Sequence, residues 1–212
     1  MQVDKILDIL ENDYPDAECE LNYETEFELL IATILSAQCT DVRVNKVTKD
    51  LFKKYNKSYE FASLKEEELQ ELIKSCGLYK SKAKKIIDSS KMIVNEYNGN
   101  VPNDLEKLIK LPGVGRKTAN VVLSNAFNIP AMAVDTHVFR VSNRIGIVDC
   151  KTPEATEIEL MRVIPKYRWT KAHHLLIFHG RRTCKARKPD CNNCSINKYC
   201  RYYNKIDIKK IN

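Results

Sequence analysis

Four thiols crowd one stretch near the C-terminus. Cys184, Cys191, Cys194 and Cys200 follow the spacing Cys-x6-Cys-x2-Cys-x5-Cys, while Cys19, Cys39, Cys76 and Cys150 are scattered along the chain. Four clustered thiolates suit either a tetrahedral zinc ion or a [4Fe-4S] cubane on coordination number alone. Structural zinc sites usually pair two short Cys-x2–4-Cys hooks, whereas here one hook is short and the flanking gaps are long and unequal. A disulfide framework is not expected, and the scattered four cysteines read as small buried hydrophobes. A second constellation is Leu111-Pro112-Gly113-Val114-Gly115, set between a short helical pattern over Asn103 to Ile109 and another from about Arg116 to Phe127. Its two glycines allow a sharp turn. The turn amides, with the free N–H groups and positive dipole end of the second helix, can converge on one phosphate oxygen. Val114 is expected to be buried as the hairpin anchor. A bare Gly-x-Gly occurs in ordinary helix turns too; the flanking helices and the cations Arg116 and Lys117 favour the phosphate reading.

The elements that must position these groups read as helices almost throughout. Apolar residues recur at helical spacing, as in Val3-Ile6-Leu7-Leu10, Phe27-Leu30-Ile31-Ile34 and Val44-Val47-Leu51, and sustained alternation of period two is absent. Thr25-x-x-Glu28 and Ser63-x-x-Glu66 fit capping boxes, and Thr152-Pro153 fits an N-cap with proline at the first helical position. The prolines and glycines fall where periodicity breaks, so loops are expected to be short. Hydrophobic residues make up 43% of 212 positions, enough for one or two modest cores in a single compact body. No stretch approaches the roughly 18 to 20 apolar residues of a membrane span, the longest candidate being Leu29 to Leu35. Asp4, Lys5 and Asp8 interrupt any export signal, so a cytoplasmic location is expected, nucleoid-associated in a bacterium.

The net charge of +7 is concentrated. Residues 181 to 205 hold eight Lys/Arg against the single acid Asp190, and the rest of the chain balances at 27 bases and 27 acids. Such a patch is an electrostatic footprint for a polyanion or a solvated tail; charge alone does not choose.

Two ungapped stretches carry a resemblance. Leu111-Pro112-Gly113-Val114-Gly115-Arg116-Lys117-Thr118-Ala119-Asn120 and Val134-Asp135-Thr136-His137-Val138-Phe139-Arg140 resemble the catalytic signature of the endonuclease III family of helix-hairpin-helix DNA glycosylases. The resemblance runs from about residue 2 to about Arg201. It implies an all-α, two-lobed fold, with a helical barrel lobe over 19–129 and an iron-sulfur lobe built from 1–18 and 130–212. It makes Lys117 the nucleophile and Asp135 the catalytic carboxylate. An amine attacks an anomeric carbon only when neutral, a form favoured by partial desolvation and by the positive surroundings that the helix N-terminus and Arg116 supply. A carboxylate stabilises the oxocarbenium-like charge that develops as the glycosidic bond breaks. The resulting imine acidifies the adjacent sugar proton, and β-elimination then breaks the strand.

The same resemblance assigns Cys184, Cys191, Cys194 and Cys200 to a [4Fe-4S] cluster, which would pin the intervening Lys185, Arg187 and Lys188 as a basic finger for the DNA backbone. Gly113, Val114, Gly115 and Arg116 would hold a phosphate. Gln38, within Ser36-Ala37-Gln38-Cys39-Thr40-Asp41, matches the residue that fills the gap left by an extruded nucleotide, and Leu78, within Gly77-Leu78-Tyr79, matches the wedge against the opposite strand. Taken alone, Gln38 would be a polar helix end and Leu78 a core leucine. Asp41 and His137 are placed at the base pocket, His137 as a supporting rather than a reacting group. His173, His174 and His179 form no metal-like set in the sequence. The implied activity is excision of oxidised pyrimidines from duplex DNA with strand cleavage at abasic sites, by a monomer with no membrane partner. An adenine glycosylase of the same superfamily is disfavoured because that family generally lacks lysine at the position of Lys117. A thymine-mismatch glycosylase, and a non-catalytic iron-sulfur DNA-binding module in which Lys117 and Asp135 are idle, stand as alternatives.

Overall fold

The computed structural model describes residues 2–205, and among these every regular element is helical. In chain order the helices are α1 (Gln2–Asp13), α2 (Glu26–Ser36), α3 (Asp41–Lys54), α4 (Ser58–Ser63), α5 (Glu66–Leu72), α6 (Tyr79–Tyr97), α7 (Leu105–Leu108), α8 (Arg116–Ala126), α9 (Thr136–Ile145), α10 (Pro153–Val163) and α11 (Trp169–Arg182). No described helix is long and apolar enough to cross a membrane. The chain divides into two compact units, a continuous one, Cys19–Ile129, and a discontinuous one, Met1–Glu18 with Pro130–Asn212.

The continuous unit is organised around α2. Every residue from Phe27 to Leu35 is buried, so the helix has no wet side and must be surrounded; α3, α6 and α8 pack against it. Fully burying each leucine or isoleucine of this run stabilises the fold by roughly 1.5–3 kcal/mol. Thr25 is the N-cap, its hydroxyl accepting from the Glu28 amide at 3.2 Å. The Glu28 carboxylate accepts from the amide of Glu24 at 2.6 Å, one residue before the capping-box position. The other expected box fails. Ser63 ends α4 and its hydroxyl donates back to the Tyr59 carbonyl at 2.9 Å, while Lys65 is the residue that opens α5. A serine hydroxyl that reaches its own preceding turn cannot also cap the next helix.

The discontinuous unit joins α1 to α9 and α11. Leu7, Leu10, Val138, Val141, Leu175 and Leu176 form its fully buried centre. Gly180 lets α9 and α11 close together: a Cβ there would lie 3.0 Å from the Cβ of His137 and 3.0 Å from Val141. Thr152 and Pro153 open α10 as the sequence predicts, with the Thr152 hydroxyl accepting from Ala155 at 3.2 Å.

Candidate active site

The hairpin lies wholly in the continuous unit. Val114 is buried and its amide donates to the Leu111 carbonyl at 3.0 Å, which fixes the turn as an anchored loop between α7 and α8. The two glycines do different work. Gly113 has φ +83 and a Cβ there would come within 3.0 Å of Lys85, so both conformation and space require glycine. Gly115 has φ −92, which any residue adopts, and a Cβ on it would meet nothing within 4 Å. No side chain caps α8, whose N-cap is Gly115. Its leading amides therefore border the exposed Gly115 and Arg116, with the positive end of the helix dipole behind them. Lys117, half-buried in the first turn of α8, makes no hydrogen bond or ion pair among the described residues.

Two further loops of this unit meet each other. Gln38 and Leu78 are both exposed and both left-handed, at φ +55 and φ +59. The Gln38 carbonyl lies 3.2 Å from where a Cβ of Gly77 would stand, so the loops touch through backbone. Leu78 is 58% exposed, which removes the core-leucine reading. A left-handed leucine left mostly in solvent is strained by roughly 1–2 kcal/mol and regains little of that by burial. Asp41 begins α3 directly after the Gln38 loop and is half-buried.

Asp135 belongs to the discontinuous unit, where it is the N-cap of α9. One carboxylate oxygen, Oδ1, accepts from the amides of His137 and Val138, both at 2.8 Å. Its second oxygen takes no hydrogen bond among the described residues, and the side chain is half-exposed. The cap thus orients the carboxylate and leaves one oxygen free. His137 shares a hydrogen bond with Arg140 at 3.2 Å and packs on Gly180, a supporting position.

Cys184, Cys191, Cys194 and Cys200 line one pocket, with Ile145, His179 and Ile196 in its wall. As bare thiols two of the four resist ionisation: burial pushes Cys194 up to about 11, and burial followed by the neighbouring Cys184 raises Cys191. Four thiolates would coexist there only with a positive centre among them. No three described His, Cys, Asp or Glu side chains converge tightly enough for a single metal ion. Four cysteines lining one pocket supply the four-thiolate donor set that a tetrahedral zinc ion or a [4Fe-4S] cubane takes. The Arg144 guanidinium approaches the Cys184 sulfur at 3.7 Å and donates to the carbonyls of Lys185 and Ala186 at 2.8 and 3.0 Å. Arg140 donates to the carbonyls of Gly180 and Cys184 at 2.9 and 3.1 Å. The helix that begins at Asp135 is therefore fastened to the cysteine loop. On that loop Lys185, Arg187 and Lys188 are exposed and form no ion pair among the described residues, whereas Arg182 and Arg201 are engaged by Asp16 and Asp149.

Residues 31–166 match the HhH-GPD superfamily of base excision DNA repair proteins. Endonuclease III of Rickettsia felis is 52% identical over 208 residues, 98% of each chain, and that of Bacillus subtilis is 52% identical over 98% of this chain and 95% of its own. The chain belongs to the endonuclease III family. A solved structure of that family, a trapped endonuclease III–DNA covalent intermediate, superposes with a TM-score of 0.92 at 49% identity, covering 97% of both chains. The structure adds residues around the site whose roles the sequence did not show. His179, with one ring nitrogen 3.8 Å from the Cys194 sulfur and the other 3.0 Å from the Tyr14 hydroxyl, lines the cysteine pocket although its spacing matched no ligand pattern. Arg140 and Arg144 act through partners some forty residues away in the chain. Arg140 closes the Asp135 motif in the sequence, the one signal that draws notice to it.

Proposed function

We propose that this protein is a bifunctional DNA N-glycosylase and abasic-site lyase that removes oxidised pyrimidines from duplex DNA and cleaves the strand by β-elimination. One observation carries the reading: the two reactive groups the chemistry needs stand ready at helix N-termini. The Lys117 amine is unengaged in the first turn of α8, and Asp135 keeps a free carboxylate oxygen at the start of α9. The Lys117 nitrogen forms a bond to the anomeric carbon as the base departs with its bonding electrons, while the Asp135 carboxylate stabilises the positive charge on the sugar. The sugar ring then opens at its C1′–O4′ bond to give an imine, which acidifies the proton on the next sugar carbon; water takes that proton as the bond to the 3′ oxygen breaks, the oxygen leaving with the bonding electrons. Gly113, Val114, Gly115 and Arg116 hold a backbone phosphate, Gln38 and Leu78 fill the opened stack, Asp41 and His137 border the base, and Lys185, Arg187 and Lys188 grip the flanking backbone. Cys184, Cys191, Cys194 and Cys200 would hold a [4Fe-4S] cluster, which would pin the basic loop between them.

Borohydride reduction on an abasic duplex tests the nucleophile. Wild-type protein should be trapped as a covalent adduct and Lys117→Ala should not; an adduct of equal yield on Lys117→Ala overturns the assignment. Metal analysis tests the cluster separately, with about four iron and four sulfide per chain expected, and stoichiometric zinc as the contrary result.

A further inference from the structure

Lys82 is a buried lysine that the chemistry above leaves without a task. It lies in the first turn of α6, its side chain almost wholly enclosed at 4% exposure. Its backbone amide donates to the carbonyl of Leu78 at 3.0 Å. Its ammonium crosses to the end of α2 and donates to the carbonyl of Leu35 at 2.8 Å, three residues before Gln38. That carbonyl is one of the last four of α2, which have no partner within the helix; those of Thr33 and Ser36 are met by the Ser36 hydroxyl and the Cys39 amide. A cation from another helix thus closes the negative end of α2 where the Gln38 loop departs. One lysine therefore touches the roots of both left-handed loops, and the Gln38 carbonyl against Gly77 completes the contact between them.

We propose that Lys82 is a positioning residue that holds Gln38 and Leu78 at a fixed separation, so that the two enter the DNA stack as one rigid fork. The inference rests on the assignment of those two side chains to the opened stack.

Stability alone does not account for the lysine. Among the described residues no carboxylate faces the ammonium: the groups around it are the thiols of Cys76 and Cys39, and burial lowers its pKa from the ordinary lysine value. An enclosed cation with one hydrogen bond is a poor filler compared with an apolar side chain of the same length. What the cation provides, and methionine would not, is a directed tie between two backbones.

The test compares strand cleavage on a duplex carrying one abasic site with cleavage on the same abasic strand alone, where there is no stack to open. Lys82→Met is expected to slow the duplex reaction by about tenfold or more, since misplacing positioning groups by about 1 Å costs up to about a hundredfold. Its single-strand rate should stay within about twofold of wild type, and 2-aminopurine opposite the abasic site should lose the fluorescence change that reports insertion. Leu78→Ala and Gln38→Ala serve as references. A Lys82→Met protein as fast as wild type on the duplex, beside slow references, overturns the role of Lys82. References as fast as wild type on the duplex instead overturn the assignment of the loops. If Lys82→Met does not fold, Gly77→Ala, which presses on the Gln38 carbonyl without touching Lys82, takes its place; an unchanged duplex rate for it overturns the fork.

Discussion

At the scale of single residues, Asp135 combines two tasks on two oxygens, and substitutions separate them. Asparagine is as good an N-cap as aspartate, so Asp135→Asn should lie within about 0.5 kcal/mol of wild type by chemical denaturation. Single-turnover base excision by the same variant should fall by about a hundredfold or more, because the charge that faces the oxocarbenium ion is gone. Asp135→Ala should lose activity similarly and about 1 kcal/mol of stability besides. The glycines divide in the same way. Gly115→Ala should fold normally, since its Cβ meets open space, yet weaken DNA binding in an anisotropy titration if the phosphate lies there. Gly113→Ala should cost about 1–2 kcal/mol of stability from its positive φ alone. Lys82 predicts a pH effect. Its folded-state pKa is below the unfolded one, so between those values the unfolded chain binds more protons, and the stability of wild type relative to Lys82→Met should rise with pH toward 10.5. Paired urea titrations at neutral and alkaline pH read the difference.

At the scale of elements, the tie between α9 and the cysteine loop through Arg140 joins chemistry to metal retention. Arg140→Leu removes the hydrogen bonds to Gly180 and Cys184 and should release iron to a chelator severalfold faster than wild type, followed by a fall in visible absorbance. Helix identity was legible in the sequence because apolar spacing is a local signal: α2, α8 and the Thr152-Pro153 start all stand where the pattern puts them, although α2 is buried on every side and not along one stripe. Ser63 misleads because the pattern Ser-x-x-Glu is satisfied in sequence at a place where the hydroxyl already has a closer acceptor in Tyr59. Lys82, His179 and Arg144 were illegible for another reason. They reach partners 15 to 165 residues away along the chain, and no periodicity encodes a contact made by the tertiary fold. Leu78 shows the limit of hydrophobicity itself, since its exposure follows from a left-handed backbone that composition does not report.

At the scale of the whole molecule, charge concentrated in the sequence becomes selective once folded. Arg182 and Arg201 spend their charge on Asp16 and Asp149, and Lys185, Arg187 and Lys188 remain to meet a polyanion. Replacing these three by glutamine should flatten the dependence of log affinity on log salt by about 0.9 for each phosphate no longer neutralised, measured on an undamaged duplex. The division of the chain bears on how the protein is made. The continuous unit has all its sequence in hand once Ile129 has left the ribosome, but α1 waits for α9 and α11 before its apolar side, Ile6, Leu7 and Leu10, is covered. The first helix to be synthesised is thus among the last to be buried, and a nascent chain stalled just after Ile129 has emerged from the ribosome should carry an unprotected N-terminal segment, cut readily by protease, ahead of a folded body that resists it.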